Sequence, residues 1–190
     1  MLSPLSKCEY NSIIPEETIL EGEDIHMEKI YFAQIRENAI IPSKIEENVA
    51  FDIYANFKEE SMFIEPHTVK MIPTGIASAF SNKYGFIIKE RGSTGIKNLK
   101  INAGVIDSGF RNEWMILIYN GNDCTVEITK NMTTGSHMYS KPSIKYPYEK
   151  AIAQAMLVEV PKVEVETISY EELLKMESVR GLGMMGSSLK

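Results

Sequence analysis

The sequence predicts an all-β protein of the sandwich or barrel class, and two observations carry this prediction. From Lys29 onward the chain consists of short runs rich in β-branched and aromatic residues, separated by turn residues such as Pro66 and Asn120–Gly121. Almost no stretch has the spacing of apolar residues that an amphipathic helix needs. Many short strands at near-regular spacing, within the 190 residues of an ordinary domain, are typical of sandwiches and barrels.

Nine runs are predicted as strands because Val, Ile, Tyr and Phe dominate them, and these residues fit a pleated, half-buried surface. In chain order they are Lys29–Ile35, Val49–Ala55, Val69–Ile72, Ile76–Phe80, Gly85–Glu90, Glu113–Tyr119, Thr125–Thr129, Ala151–Val160 and Lys162–Thr167.

One helix is predicted, at Ser169–Met176. Ser169 and Glu172 have the spacing of a capping box, in which the serine side chain binds the Glu172 amide and the glutamate reaches back. Leu173 and Leu174 then lie on one face of this short helix.

Three further segments complete the predicted domain organisation. Residues 1–26 are polar, acidic and without clear period, and we interpret them as an N-terminal extension to a β domain at 27–178. Residues 130–148 are polar and contain proline and tyrosine, which predicts a long surface loop inserted in that domain. Residues 179–190 are rich in glycine and serine and predict a flexible C-terminal tail.

Composition and charge argue against two classes of protein. The chain has 20 basic and 26 acidic residues, a net charge of −6, and no segment that concentrates lysine and arginine. A nucleic-acid-binding protein needs such a basic surface, so we expect no nucleic-acid partner. The longest apolar run, Trp114–Tyr119, has six residues, whereas a membrane-spanning helix needs about 18. We therefore expect no membrane segment.

The two cysteines and the N-terminal residues indicate the compartment. Cys8 and Cys124 are far apart and have no metal-ligand spacing, so we expect two free thiols. The first 26 residues are acidic where a signal peptide would be apolar. Both observations predict a cytoplasmic location.

The segment Arg91–Gly95, with the sequence RGSTG, has the composition of an anion-binding loop. Its glycines let backbone N–H groups approach an anion closely, its hydroxyls add donors, and Arg91 supplies a fork that matches phosphate oxygens. Without other context, the same residues would also make a plain turn.

Two more segments have both a structural and a chemical interpretation. Asp107 can stabilise its own turn, or it can be a carboxylate that orients and deprotonates a water in a pocket floored by Phe110. The terminal segment Arg180–Ser188 can be a disordered tail, or it can close over a phosphorylated ligand with its arginine, glycines and serines.

Five segments resemble, in the same order, the five motifs of the trimeric dUTPases (dUTP nucleotidohydrolases), and the resemblance covers about Lys29 to the end of the chain. They are Ala50–Ala55 (AFDIYA), Glu90–Gly95 (ERGSTG), Gly104–Asn112 (GVIDSGFRN), Glu149–Gln154 (EKAIAQ) and Arg180–Ser188 (RGLGMMGSS). One motif alone is a weak signal, but five in order, with the last at the terminus, are specific.

The resemblance implies a jelly-roll β-barrel that assembles as a homotrimer, with three subunits contributing to each active site. It also implies hydrolysis of dUTP to dUMP and pyrophosphate. The cofactor would be Mg²⁺, held by the three phosphates and water rather than by a cluster of protein ligands. Such chemistry needs charge neutralisation on the leaving pyrophosphate and a positioned water, with little covalent work for the protein.

The resemblance also assigns roles to individual residues. Asp107 would activate the water that attacks the α-phosphorus, and Phe110 would stack under the deoxyribose. Asp52 would be a structural or water-positioning acid. The uracil edge would be read by the main chain of Ile101, Asn102, Ala103 and Gly104 and by the backbone near Met115.

Two sets of residues would hold the phosphates. The first set is Arg91, Gly92, Ser93 and Gln154. The second set comes from the tail of a neighbouring subunit and consists of Arg180, Gly186, Ser187 and Ser188, with Met185 where the family's phenylalanine covers the uracil.

The chain departs from the family pattern at several positions. Glu90 replaces a proline, Gly92 replaces a serine, Gly109 replaces an aspartate and Asn112 replaces a glycine. These changes place it in a divergent branch, but they leave the proposed base intact.

Two alternatives remain open. A dCTP deaminase shares the fold, but its proton-shuttling glutamate would fall near Leu117, where leucine cannot do this chemistry. A non-catalytic regulatory protein on the same fold could bind a protein partner through residues 1–26 and 130–148.

Overall fold

The structure is a computed structural model that describes residues 29–132, 143–179 and 181–182. Within these ranges the chain forms twelve strands and two short helices. The strands are β1 Tyr31–Gln34, β2 Ala50–Ile53, β3 Ser61–Ile64, β4 Val69–Pro73, β5 Ile76–Ala79, β6 Tyr84–Lys89, β7 Leu99–Asn102, β8 Val105–Ile106, β9 Met115–Asn120, β10 Thr125–Thr129, β11 Ser143–Pro147 and β12 Ala153–Glu159. The helices are α1 Gly92–Gly95, between β6 and β7, and α2 Tyr170–Lys175, after β12.

The strands form four small sheets. Their orders are β1-β5, β11-β10-β3, β2-β12-β6-β8 and β4-β9-β7. All the pairs are antiparallel except β10 and β11, which run parallel. The predicted all-β class is therefore confirmed.

Apolar side chains from the sheets meet in one core. The largest fully buried side chains are Trp114, Tyr146 and Phe86. The Phe86 ring contacts Trp114 edge-on at 5.2 Å between centroids and Phe80 at 5.1 Å. Such ring pairs contribute about 0.5–1.5 kcal/mol each beyond the area they bury, so this cluster fixes β6 against the strand that begins after Trp114.

Eight of the nine predicted strands overlap observed ones, but the ninth, Lys162–Thr167, is wrong. Residues 160–169 are exposed, have no regular secondary structure and have no partner strand among the described residues. Val163 and Val165 are 74% and 88% exposed. The segment has the composition of a strand but lacks the neighbouring backbone that a ladder requires.

Four observed strands and one helix were not predicted. β3, β7 and β8 are four, four and two residues long, too short for an alternating pattern to be read. β11 lies inside the predicted 130–148 loop, so that prediction was wrong for residues 143–147. α1 is a single turn of poor helix formers, held by the Thr94 hydroxyl, which accepts from the Arg91 amide at 2.9 Å.

The predicted capping-box helix is confirmed as α2. The Ser169 hydroxyl accepts from the Glu172 amide at 3.2 Å, and the Glu172 carboxylate accepts from the Ser169 amide at 2.9 Å. This backbone N–H, followed by the Ser169 side chain, lowers the pKa of Glu172 below its ordinary value. In the part of the chain that the structure describes, no helix is long and apolar enough to span a membrane.

Candidate active site

Three adjacent strands bring the first and fourth motifs together with the second. Gln154 on the central strand β12 pairs with Asp52 on β2 and with Lys89 on β6. Arg91 follows the end of β6 by two residues. The side chains of Asp52, Arg91 and Gln154 therefore come from the same end of one sheet.

Arg91 and Asp52 form a side-on ion pair. The Arg91 Nε lies 2.9 Å from Asp52 Oδ1, and Nη2 donates to Oδ2 at 3.1 Å. Both carboxylate oxygens are thus engaged, while Nη1 and the outer side of Nη2 have N–H donors without an acceptor among the described residues. The Arg91 side chain is 31% exposed, so this free edge of the guanidinium can contact a ligand.

The α1 loop is held in place by two long-range hydrogen bonds. Gln154 Nε2 donates to the Glu90 carbonyl at 2.6 Å, immediately before Arg91. The Ser93 hydroxyl lies 3.1 Å from the hydroxyl of the buried Tyr146 on β11. Gly92 and Ser93 are therefore positioned by strands that are distant in sequence.

Glu90 joins this loop to the turn between β7 and β8, two strands that lie in different sheets. Its Oε1 accepts from the Ile101 amide at 2.8 Å. This N–H is the main cause that lowers the pKa of Glu90 below its ordinary value. The residue that departs from the family's proline therefore has a structural role that the sequence did not reveal.

The turn between β7 and β8 is tightly constrained. Ala103 has φ of +50°, an unusual conformation for a residue with a side chain. At Gly104 an added Cβ would lie 2.5 Å from the Ile88 carbonyl oxygen, so only glycine fits. That approach lets the Ile88 amide donate to the Gly104 carbonyl at 2.6 Å. Ile101, Asn102, Ala103 and Gly104 thus form a fixed main-chain surface.

Met115 lies beside this turn. Asn102 pairs with Leu117 on β9, and the two strands are antiparallel. Met115 lies two residues before Leu117 on β9. It therefore lies past the end of β7, on the side of the turn between β7 and β8. The structure thus brings the predicted uracil-reading backbone segments next to each other.

Asp107 and Phe110 lie on the loop after β8, and both are exposed. The Phe110 amide donates to the Asp107 carbonyl at 3.0 Å. Arg111 closes over the loop, with Nη1 donating to the carbonyls of Ser108, of Phe110 (3.2 Å) and of Ser78 on β5 (3.3 Å). The loop is compact, and it presents its carboxylate and its ring to solvent.

An ion pair between the exposed Arg36 and the buried Glu113 fixes the far end of this loop. Glu113, 9% exposed, accepts from Arg36 Nε at 3.0 Å and Nη2 at 2.6 Å. Its other oxygen accepts from the Gly75 amide at 2.8 Å. Neither Arg36 nor Glu113 was singled out by the sequence, because no local pattern links residues this far apart.

Asp107 and Arg91 do not come together within one chain. On β6 and β8, Phe86 pairs with Ile106, so Asp107 leaves the sheet beside Gly85. Arg91 lies beyond the opposite end of β6. Gly85, beside which Asp107 lies, and Arg91 are six residues apart along this strand direction, which is about 20 Å at the rise of a β-strand.

Some predicted residues cannot be placed. Arg180, Met185, Gly186, Ser187 and Ser188 lie outside the described residues. Within the described ranges, no group of three or more His, Cys, Asp or Glu side chains could hold a metal ion.

A cleft of about 660 Å³ contains none of the site residues predicted from the sequence. It is lined by Arg36, Glu37, Asn38, Asn56, Phe57, Lys58, Lys130 and Tyr148. Its Lys130 ammonium donates to the Phe57 and Lys58 carbonyls at 2.9 and 3.1 Å and lies 5.0 Å from the Tyr148 ring centroid. This charge holds the walls of the cleft together.

Comparison with known proteins identifies the family. The dUTPase family model matches residues 36–133. A curated deoxyuridine 5′-triphosphate nucleotidohydrolase from Nautilia profundicola is 29% identical over 168 residues, which cover 85% of this chain and 99% of that protein. One from Leptospira interrogans is 31% identical over 108 residues, 55% of this chain and 74% of that protein.

Solved structures share the fold. The dUTPase of Staphylococcus bacteriophage 80alpha, solved with dUpNHpp, matches with a TM-score of 0.68 and 20% identity, covering 84% of this chain and 98% of that one. The dUTPase of phage phi11 of S. aureus matches with a TM-score of 0.58 and 18% identity, covering 74% and 96%. The dUTPase family model matches just over half of the sequence, which is enough to assign the family. The chain belongs to the dUTPase family.

Proposed function

We propose that this protein hydrolyses dUTP to dUMP and pyrophosphate. The observation that carries the proposal is the family match at residues 36–133, which contain Asp52, Arg91, Asp107 and Phe110. The curated relatives are deoxyuridine 5′-triphosphate nucleotidohydrolases.

Arg91 binds the triphosphate in this proposal. The ion pair with Asp52 holds the guanidinium by one edge and leaves the other edge for phosphate oxygens, whose geometry it matches. Gln154 supports the same loop through the Glu90 carbonyl. Asp52 is therefore a positioning acid for Arg91.

The turn between β7 and β8 recognises the uracil base, and Phe110 recognises the deoxyribose. Main-chain donors and acceptors on a constrained turn around Ala103 and Gly104 recognise the edge of a uracil without side chains. The exposed Phe110 ring packs against the deoxyribose face and leaves no partner for a 2′-hydroxyl. UTP is therefore a poor substrate.

Asp107 is the general base. Its carboxylate is exposed on a loop that Arg111 and the Arg36–Glu113 pair hold in place. A positioned carboxylate can orient a water and accept its proton as the water attacks the α-phosphorus. The bond to the bridging oxygen breaks, and pyrophosphate leaves.

The residues around the α1 loop fit a metal ion that arrives with the substrate. Each Asp52 oxygen accepts a hydrogen bond from Arg91, so in the described arrangement this acid neutralises a guanidinium. Mg²⁺ held by the phosphates would neutralise charge on the leaving group. Arg91 then needs only to bind the outer phosphate oxygens.

The active site is shared between subunits of a homotrimer. The separation of about 20 Å between the levels of Asp107 and Arg91 along β6 supports this part of the proposal. If both residues act on one substrate molecule, they must come from different copies of the chain.

A product assay with dUTP and Mg²⁺ tests the function. Equal amounts of dUMP and pyrophosphate are expected. Ammonia release would contradict the proposal in favour of a deaminase, although Leu117 stands where that chemistry needs a carboxylate. Absence of any product from a folded protein would instead favour the non-catalytic regulatory protein.

A further inference from the structure

The direction of one buried hydrogen-bond chain can be deduced from its atoms. The Tyr146 hydroxyl lies 2.7 Å from the Ala151 carbonyl and 3.1 Å from the Ser93 hydroxyl. A carbonyl can only accept, so the one hydrogen of the phenol goes to Ala151. The contact with Ser93 is then a hydrogen bond that Ser93 donates.

This direction decides what Ser93 can offer to a ligand. A serine hydroxyl has one hydrogen, and here that hydrogen points at Tyr146. The outer side of the Ser93 oxygen therefore carries only lone pairs, which repel phosphate oxygens. In this arrangement Ser93 cannot donate a hydrogen bond to a phosphate oxygen.

The same bond anchors a loop that has little intrinsic rigidity. α1 is one turn long and contains Gly92 and Gly95, and an added Cβ at Gly92 would meet nothing within 4 Å. Tyr146, by contrast, is 1% exposed and belongs to the core. A single phenol thus connects the loop after Arg91 to the buried Ala151, close before the strand that carries Gln154.

We propose that Tyr146 is a positioning residue that binds the phosphate loop through Ser93, so that Ser93 acts as an anchor and not as a ligand. This inference rests on the proposed function and deepens it. Phosphate contacts are left to Arg91 and the backbone of the loop, and their geometry depends on the Tyr146 hydroxyl.

The alternative makes different predictions. If Ser93 donated to phosphate, binding would have to break its bond to Tyr146, and removal of the phenol hydroxyl would free the serine. Tyr146→Phe would then tighten phosphate binding, whereas Ser93→Ala would weaken it. An anchor predicts instead that both substitutions weaken binding equally.

The experiment is a double-mutant cycle on Ser93→Ala and Tyr146→Phe, with inorganic pyrophosphate as the probe. Each single variant should raise the inhibition constant for pyrophosphate and the KM for dUTP about fivefold, the value of one neutral hydrogen bond, while kcat stays within about twofold. In these two constants the double variant should equal either single variant, because both remove the Ser93–Tyr146 bond; Tyr146→Phe also removes the bond to the Ala151 carbonyl, and this second loss should lower the free energy of unfolding.

Tyr148→Phe is the matched control, since it removes a phenol hydroxyl just after β11 that makes no contact with Ser93, and it should leave both constants unchanged. The inference is overturned if Tyr146→Phe matches this control, if it tightens pyrophosphate binding, or if the two single effects multiply in the double variant. Ser93→Ala removes the bond from the half-buried loop and leaves the core ring in place, so it tests the anchor even if Tyr146→Phe fails to fold.

Hydrogen exchange separates this inference from the proposed function. In the free protein, the α1 amides should exchange faster in both variants than in the Tyr148→Phe control, whether or not the protein hydrolyses dUTP. Unchanged exchange in a protein that does hydrolyse dUTP would contradict the anchor alone. Faster exchange in a protein without activity would contradict only the function.

Discussion

At the scale of single residues, the chemistry depends on which side-chain atoms are already engaged in hydrogen bonds. Each Asp52 oxygen accepts a hydrogen bond from the Arg91 guanidinium. Asp107 is exposed, and among the described residues no side chain or amide donates to its carboxylate. Of these two acids, we therefore propose Asp107 as the one that accepts a proton from water.

Replacing Asp107 with asparagine tests this assignment. The amide keeps the shape of the side chain but cannot accept the proton, so kcat should fall by about 10² or more while KM changes little. Asp123→Asn, on the loop between β9 and β10, is the control and should keep full activity. Turnover of Asp107→Asn within a few-fold of the wild type would exclude Asp107 as the base.

Glu90 makes stability depend on pH. Its pKa is lowered by the Ile101 amide, so its stabilising effect is complete above the ordinary glutamate value of about 4.5 and is lost as the pH falls through the lowered value. Glu90→Gln should therefore be less stable than the wild type near neutral pH, and this difference should shrink below about pH 4.5. Urea unfolding from pH 3 to 7 measures it, and a difference that is constant with pH would contradict the assignment.

At the scale of elements, loops gain their shape from residues far away in the chain. The loop after β8 ends at Glu113, which is buried against Arg36 and the Gly75 amide. The α1 loop is held from β11 and β12 in the same way. Candidate site loops are thus positioned by rigid strands, as precise chemistry requires.

Arg36→Ala should destabilise the protein by about 2 kcal/mol, because it leaves the Glu113 carboxylate buried without its cation. Adding Glu113→Gln removes the stranded charge and should restore part of the loss. The free energy of unfolding in urea is the measurement. If the double variant is less stable than Arg36→Ala alone, the buried charge is not the cause.

At the scale of the whole molecule, the strand register separates the base from the phosphate-binding arginine. Asp107 and Arg91 lie near opposite ends of β6, so a shared site between copies is the simplest way to unite them. The proposed homotrimer meets this requirement by its symmetry, since every interface then repeats the same site.

Mixing two inactive variants tests the shared site. Asp107→Asn and Arg91→Ala chains, unfolded and refolded together in equal amounts, should regain about one quarter of the wild-type activity, because random assembly gives each interface an intact pair at that frequency. Each variant refolded alone is the control. No recovery in trimers proven to contain both chains would show that the two residues act within one chain.

Some features of this protein are determined by residues that are neighbours in the sequence. The α2 capping box needs only Ser169 and Glu172, which are three positions apart, and it forms as predicted. The strand composition of eight segments and the order of the five motifs are likewise readable without a structure. Local geometry and local side-chain preference carry this information.

Other features depend on contacts between distant residues, and only the tertiary structure decides them. Lys162–Thr167 has the composition of a strand but no partner among the described residues, whereas Ser143–Pro147 forms one because β10 lies beside it. The pairs Arg91–Asp52, Ser93–Tyr146 and Arg36–Glu113 are 39, 53 and 77 positions apart. No local pattern encodes such contacts, because they follow from the register and packing of strands that meet only when the whole chain has folded.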